Sequence, residues 1–201
     1  PKSMFEEKIK PNLQLDKIPG QIKLRWGVAV RPTAVRALPT DISLFEKLKD
    51  YEFDMLQFSL IKLWTPVAIY HQTKAGRWFY VQAPYIRGWV KARDIALFSS
   101  RDKAKEYTKS NRFLVVLGES IPVFRDKTFK QIIQEPSMGV ILPLDQEYRG
   151  GYSIYMPHRD SKGNVKIGKA YIEAKSDAAK NFPAFTQRNI IRQAFKLLGA
   201  R

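Results

Sequence analysis

The sequence predicts a mainly β protein of two tandem small barrels, with a short internal helix and a C-terminal α-helix. Three observations lead to this fold class. Short runs of β-forming residues alternate with turn residues along most of the chain. A pattern in the first half returns in the second half at an offset of 82 residues. The last segment then changes to helical periodicity.

The strands of the first half are predicted from apolar and aromatic runs that end at turn signals. Residues 22–30 alternate apolar and polar side chains before they stop at Arg31-Pro32. Residues 66–71 and 78–82 are joined by a four-residue turn that contains a glycine, which is typical of a hairpin. Residues 88–90 open a further short strand.

One internal helix is predicted between these strands. Ser43 and Glu46 have the spacing of a capping box, and apolar residues continue at helical spacing, so we expect a helix over residues 43–51. Asp41 precedes this segment and is therefore a candidate cap for the helix.

The second half repeats the plan of the first. Three pairs of segments align: 88–93 with 170–175, 65–68 with 121–124, and 76–80 with 151–155. The repeat predicts two β modules in which Trp89 and Tyr171 occupy equivalent positions, with a boundary near residues 99–101.

The chain's final segment predicts an amphipathic helix. Thr186 is a candidate N-cap, and Gly199 stands where a helix stop belongs. The apolar residues of this segment share one face, which is expected to pack on the barrels or to mediate self-association: Ile190, Ile191, Ala194, Phe195, Leu197 and Leu198.

Composition excludes several kinds of chemistry. The chain has no Cys, which rules out a disulfide framework, a thiolate zinc site and a cysteine nucleophile within these residues. Its two histidines, His71 and His158, lie 87 positions apart, and no local motif brings them together. We therefore expect no catalytic residue, no metal site and no cofactor. No apolar run approaches the roughly 20 residues of a membrane span.

The charge balance indicates an affinity for anions. The chain has 35 Lys and Arg against 19 Asp and Glu, a net charge of +16. Such an excess attracts nucleic acid, an anionic membrane or an acidic wall polymer. The positive charge is spread over both halves and its densest stretch is interrupted by acids, which favours a solvated basic surface and argues against nucleic acid as a partner.

Several motifs together resemble a known family. The first half is similar to the first bacterial SH3-like (SH3b) domain of the NlpC family of cell-wall cysteine peptidases, through Arg31-Pro32-Thr33, Phe53-Asp54, Trp64-Thr65-Pro66-Val67, Trp78-Phe79-Tyr80-Val81, Tyr85-Ile86-Arg87-Gly88-Trp89-Val90 and Asp94-Ile95-Ala96. The resemblance continues, with fewer specific matches, into a second SH3-like domain and the first helix of the papain-like catalytic domain. It implies an N-terminal extension (1–25), two tandem SH3-like barrels (26–99 and 100–180), and a linker with the first helix of a truncated catalytic domain (181–201).

The resemblance also implies a function. The family's peptidases cleave the γ-D-glutamyl to diamino-acid bond of peptidoglycan stem peptides, and their SH3-like domains bind the wall and limit which peptide ends enter the cleft. In the family, the catalytic Cys follows the helix that residues 186–199 resemble, so this chain is expected not to hydrolyse peptidoglycan. The implied partners are a stem peptide and a papain-like catalytic domain, and the implied location is extracytoplasmic, either periplasmic or secreted.

Four residues are candidate substrate contacts by this resemblance. Tyr85 is the candidate for a cleft-facing contact, and Asp41 for a partner of a peptide amine, a role that suits a carboxylate because such charge-assisted bonds are strong. Trp89 and Tyr80 are added because aromatic rings on a groove can stack on sugars or peptide planes, although aromatics at strand spacing usually serve the core. An alternative function remains open: a basic double-barrel module that binds nucleic acid or a protein.

Overall fold

A computed structural model describes residues 2–47 and 52–198. In these residues the chain forms two antiparallel seven-stranded sheets, each closing a small SH3-like barrel. The strands of the first sheet are β1 Arg25–Ala29, β2 Thr33–Arg36, β3 Gln57–Ile61, β4 Pro66–Gln72, β5 Trp78–Gln82, β6 Arg87–Lys91 and β7 Ile95–Phe98. Those of the second are β8 Phe113–Val116, β9 Val123–Phe124, β10 Ile132–Gln134, β11 Ile141–Tyr148, β12 Gly151–Arg159, β13 Val165–Glu173 and β14 Ala178–Ala179.

Helices occupy both ends of the chain and the link between the sheets. The N-terminal segment contains α1 Lys2–Met4, a π-helical turn Phe5–Ile9, α2 Lys10–Leu13 and a 3₁₀ turn Leu15–Lys17. A further 3₁₀ turn, Ala92–Asp94, precedes β7, while α3 Arg101–Thr108 joins the sheets and α4 Gln187–Phe195 lies near the C-terminus. Over the described ranges, none of the helices has the length and apolar character needed to cross a membrane.

The two sheets have the same topology. The strand order is β3-β2-β6-β5-β4-β1-β7 in the first sheet and β10-β9-β13-β12-β11-β8-β14 in the second, which is the same order shifted by seven strands. Trp89 of β6 pairs with Arg36 of β2, and Tyr171 of β13 pairs with Phe124 of β9. The predicted equivalence of Trp89 and Tyr171 is therefore confirmed.

Two of the sequence alignments behind the repeat are wrong in detail. Residues 123–124 take the place of β2, whereas the counterpart of β4 is β11. The cross-strand partner of Trp89 is Tyr80 and that of Tyr171 is Ser153, so Ser153 rather than Tyr155 matches Tyr80. A proline before a short apolar run marks a strand start but does not say which strand it is.

The predicted internal helix is absent where the structure describes it. Residues 43–47 form a loop, and residues 48–51 lie outside the described residues. The Leu44 and Leu56 backbone amides both donate to the Asp54 carboxylate, which holds this loop, and Asp41 pairs with Lys91 instead of capping a helix. A helix that the sequence did not predict, α3, begins at Ser100, whose hydroxyl accepts from the Lys103 amide at 3.2 Å.

The barrels share a core. The largest cluster of buried apolar residues combines Val28, Trp64 and Phe98 from the first barrel with residues of the second such as Leu114 and Ile154. Backbone contacts add to this joint, because the Leu97 amide donates to the Gly163 carbonyl at 2.9 Å. The two barrels are therefore expected to behave as one rigid unit.

The C-terminal helix is confirmed, but its apolar face is not packed on the barrels. Thr186 caps the helix by accepting from the Asn189 amide at 3.2 Å, while Gly199 lies outside the described residues. Lys196 ties the helix to the second barrel through Asp177 at 2.6 Å and the Leu117 carbonyl at 3.3 Å. The apolar face remains between 47% and 72% exposed at Ile190, Ile191, Phe195 and Leu198. Docking of this face on the barrels was therefore a wrong prediction, and self-association remains a prediction.

Candidate functional site

A cleft between the barrels displays Tyr85. The cleft has a volume of about 250 Å³ and is lined from the first barrel by the segment before β4 and the β5–β6 turn, and from the second by the end of α3, β8 and the start of β11. We call it the Tyr85 cleft; its principal walls are Lys62, Trp64, Pro66, Tyr85, Tyr107, Phe113 and Ile141.

Local backbone structure points Tyr85 outward. The Ala83 amide donates to the Ile86 carbonyl at 2.8 Å, which closes a tight turn around Pro84 and Tyr85. Tyr85 is 58% exposed, and its hydroxyl donates to the Leu60 carbonyl at 3.0 Å. This bond fixes the hydroxyl end of the ring while more than half of the residue stays exposed, so a ligand that contacts the ring pays little entropy to order it.

The floor of the Tyr85 cleft is formed by Trp64. Its indole is 5% exposed and stacks on Tyr107 with 6.1 Å between ring centroids, and its Nε1 donates to the Tyr155 carbonyl at 3.1 Å. The backbone φ of Trp64 is +65°, a left-handed conformation that bulky residues rarely adopt. Sequence analysis places Trp64 in one of the motifs that carry the resemblance but does not predict that it joins the barrels.

Asp41 lies in a different cavity from Tyr85. This second cavity, of about 500 Å³, is bounded by the N-terminal segment, Trp78 and several basic side chains; we call it the Asp41 cavity. The Asp41 side chain is 71% exposed, and its Oδ1 lies 2.6 Å from Lys91 Nζ.

Tyr85 and Asp41 therefore do not share one groove. Tyr85 precedes β6, whereas Lys91, the partner of Asp41, ends it. Four residue steps of strand, or about 13 Å, separate the two ends of β6. The expectation that both residues hold one end of the same peptide is wrong for this arrangement.

Trp89 and Tyr80 are covered by the N-terminal segment. Trp89 is 6% exposed and packs with Trp78 beneath Ile9 and Leu13, with Tyr80 at the edge of this cluster. His71 Nε2 lies 2.6 Å from the Leu13 carbonyl oxygen and helps hold the segment in place. Neither Trp89 nor Tyr80 lines the Tyr85 cleft or the Asp41 cavity. Trp89 is therefore a core residue, and Tyr80 is a partly buried residue that packs against this core.

A buried ion pair holds the loop that carries Asp41. Arg36 NH1 lies 2.8 Å from Asp54 Oδ2, and Arg36 NH2 donates to the Ile42 carbonyl at 2.7 Å. Burial by itself raises the pKa of the Asp54 carboxyl, but hydrogen bonds from the Leu44 and Leu56 amides and from Arg36 outweigh burial and lower the pKa to about 2. Sequence reasoning gave this pair no role, although Phe53-Asp54 is among the motifs that carry the resemblance.

Comparison with known proteins supports the fold. Residues 43–91, which lie in the first barrel, match the family described as SH3 domain (SH3b1 type). No curated protein matches this sequence at a significant level. In the described part of the chain, no cluster of three or more His, Cys, Asp or Glu residues is placed to hold a metal ion.

Two solved structures are similar to the chain over most of its length. A novel NlpC/P60 endopeptidase from Photobacterium damselae subsp. piscicida is 20% identical, with a TM-score of 0.68, over 89% of this chain and 38% of that protein. An NlpC/P60 family protein from Bacillus cereus is 14% identical, with a TM-score of 0.62, over 85% of this chain and 63% of that protein. At these identities the likeness establishes the fold, and the chain spans less than two thirds of either protein.

Proposed function

We propose that this chain is the cell-wall-binding and substrate-gating part of a γ-D-glutamyl-diamino-acid endopeptidase, and that stem peptides dock in the Tyr85 cleft. The observation that carries the proposal is the fixed, half-exposed Tyr85 ring at an inter-barrel cleft. Support comes from the SH3b1 match and from two NlpC/P60 proteins that share the fold. By the same resemblance, the site of action is extracytoplasmic.

The lining of the Tyr85 cleft suits a stem peptide. Tyr85, Pro66 and Phe113 provide apolar surfaces for alkyl groups, while Thr108 and Ser110 provide polar groups at the edge. Among the described residues that line the cleft, Lys62 is the one that carries a charge. Its Nζ donates to the Met138 carbonyl, and no described carboxylate lies within 4.0 Å of this Nζ. A stem peptide offers a carboxylate that can pair with this cation, together with an apolar body for the rings.

The exposed face of α4 is the place where we propose that a catalytic domain packs. Ile190, Ile191, Phe195 and Leu198 form an apolar patch that the barrels leave open, and Phe185 next to the helix is 94% exposed. Burial of each large apolar side chain is worth about 1.5–3 kcal/mol, so such a patch favours a protein neighbour.

Replacing Tyr85 with alanine should weaken the chain's binding to peptidoglycan by about ten-fold. The peptidoglycan used is stripped of its attached polymers. The ring is a rigid aromatic anchor, and truncating such a residue at an interface commonly costs more than about 1 kcal/mol. A pull-down with purified wall and a titration with a synthetic stem peptide measure the effect. Tyr85→Phe keeps the ring but loses the hydrogen bond to the Leu60 carbonyl, so it should lose less affinity than Tyr85→Ala, while Phe53→Ala removes an exposed aromatic outside the cleft and should change nothing. Equal losses for Tyr85→Ala and Phe53→Ala would contradict the proposal.

We propose that Asp41 contacts the free amino terminus of a peptide at the Asp41 cavity, apart from the Tyr85 cleft, so replacing Asp41 with asparagine should affect only peptides with a free amino terminus, and only modestly. Asp41 is largely exposed and already pairs with Lys91, and exposed ion pairs are worth about 0.2–1 kcal/mol. We expect up to about five-fold weaker binding of the free-amine peptide and no change for its acetylated form. The control is Asp102→Asn, which removes the negative charge from the exposed ion pair between Asp102 and Lys105 on α3. If the acetylated peptide loses the same affinity, Asp41 acts on structure and not on the amine.

A further inference from the structure

A basic surface crosses the joint between the barrels. A third cavity, of about 680 Å³, is lined by Val30 and Arg31 of the first barrel and by second-barrel residues that include Arg125 and Lys169; we call it the junction cavity. Arg159 lines both the junction cavity and the Asp41 cavity. The two cavities thus adjoin at Arg159, and together they form what we call the basic track.

The basic track has far more cations than carboxylates. Eight Lys and Arg side chains line it, whereas three described carboxylates, those of Asp41, Asp94 and Asp145, pair with four of these cations. Lys8, Arg77, Arg125 and Arg159 have no carboxylate within 4.0 Å among the residues that the structure describes. Grouped cations within concave walls concentrate positive potential, which favours an anionic ligand.

Arg159 is held in position at the centre of the track. Its Nε donates to the Ile95 carbonyl of the first barrel at 3.0 Å. Its guanidinium lies over Gly163, where φ is +89° and a Cβ would stand 2.9 Å from NH2. The Gly163 carbonyl in turn accepts a hydrogen bond from the Leu97 amide of the first barrel. A cation fixed in this way needs little ordering when it binds an oxyanion.

The shape and lining of the track indicate the ligand class. A single small anion occupies one cavity, whereas a linear polymer with repeated charges can use both cavities and the cation between them. Bases of single-stranded nucleic acids bind by stacking on accessible aromatic rings. The aromatic rings in the described lining are the indole of Trp78, which is 5% exposed, and the single imidazole of His158, so the track lacks the row of accessible rings on which successive bases stack.

We infer that the basic track binds a linear polymer without bases that carries an oxyanion, phosphate or carboxylate, in each repeat. The polymer lies across both barrels and contacts the arginines at both ends of the track and Arg159 at its centre. The track shares no lining residue with the Tyr85 cleft, so the inference does not depend on the docking of stem peptides in that cleft.

The test is a set of binding titrations with the full chain at several salt concentrations. The probes are poly(glycerol phosphate), poly-γ-glutamate, neutral dextran, and oligothymidylate with a matched number of charges. We expect at least one anionic, base-free polymer to bind, with an affinity that falls steeply as salt rises, and dextran not to bind. The stronger of the first two probes identifies whether phosphate or carboxylate is preferred.

Charge reversals locate the site. Arg77→Glu in the Asp41 cavity and Arg125→Glu in the junction cavity change exposed side chains at the two ends of the track. Each should weaken polymer binding by about ten-fold or more, and the double variant more than either, because each removes a charged contact. Arg149→Glu is the matched control, since it lies beyond the far end of β12, about 26 Å of strand from Arg159.

Three results would overturn the inference: no binding of either anionic polymer, equal losses for Arg149→Glu and the two track variants, or tighter binding of oligothymidylate that depends on the same arginines. Circular dichroism of each variant checks that the fold is kept. Binding to stripped wall reports on the Tyr85 cleft, so failure of the proposed function and failure of this inference give different results.

Discussion

Replacing Trp64 with alanine should destabilise both barrels together, by about 3–5 kcal/mol. Trp64 belongs to the core that contains residues of both barrels, stacks on Tyr107, and donates a hydrogen bond to the Tyr155 carbonyl. Its loss leaves a cavity at the joint and an unpaired carbonyl. Urea unfolding, followed by circular dichroism and by the fluorescence of the remaining tryptophans, measures the change.

The conservative variant separates packing from hydrogen bonding. Trp64→Phe keeps an aromatic ring against Tyr107 and loses the indole donor, so we expect a smaller loss of about 1–2 kcal/mol. The wild-type chain should unfold in one transition, because the core is shared, and Trp64→Ala should broaden or split that transition. A single unchanged transition in Trp64→Ala would contradict the role of Trp64 in joining the barrels.

Replacing Asp54 with alanine should destabilise the first barrel by about 3–5 kcal/mol, because it leaves the charge of buried Arg36 without a partner. It also removes the acceptor for the Leu44 and Leu56 amides, which shape the loop that carries Asp41. The double variant Arg36→Met with Asp54→Leu should recover much of the loss, since no unpaired charge remains. Asp126→Ala, at an exposed loop, is the control and should change the stability little.

The same pair makes stability depend on pH. The pKa of Asp54 is lowered to about 2 in the folded chain, so its contribution of about 2 kcal/mol is fully present above pH 4. The contribution is lost as the pH falls from about 4 to about 2, where the folded chain binds the proton. The unfolding free energy of the wild type should therefore fall more steeply over this range than that of the double variant. Parallel curves for the two chains would show that Asp54 does not carry this dependence.

Local sequence patterns predict those parts of the fold that local interactions determine. The hairpin of β4 and β5 follows from two β-rich runs and a glycine turn, and the Thr186 cap follows from the start of an amphipathic run. The repeat is detectable at Trp89 and Tyr171 because they lie at the same position of equivalent strands: Trp89 of β6 pairs with β2, and Tyr171 of β13 pairs with β9. The sequence alignment assigns the proline-led segment 121–124 to the wrong strand, and it aligns β12 with β5 two residues out of register.

Tertiary contacts explain the differences between expectation and structure. Residues 43–47 follow a capping-box pattern, yet the distant Asp54 takes the Leu44 amide and fixes a loop. The N-terminal segment was expected only as an extension, but Ile9 and Leu13 cover Trp89, a contact over some 80 residues that no local pattern reveals. Likewise, the separation of Tyr85 from Asp41 depends on which end of β6 each one lies near.

The most direct test of the peptide-binding proposal is an NMR titration of the full chain with a synthetic stem peptide that ends in a diamino acid. We predict saturable amide shift changes in the walls of the Tyr85 cleft, at Tyr85, Thr108 and Phe113, and their loss in Tyr85→Ala while the rest of the spectrum is kept. Shift changes confined to the basic track at Arg77 and Arg125, or none at high peptide concentration, would contradict the proposal that stem peptides dock in the Tyr85 cleft.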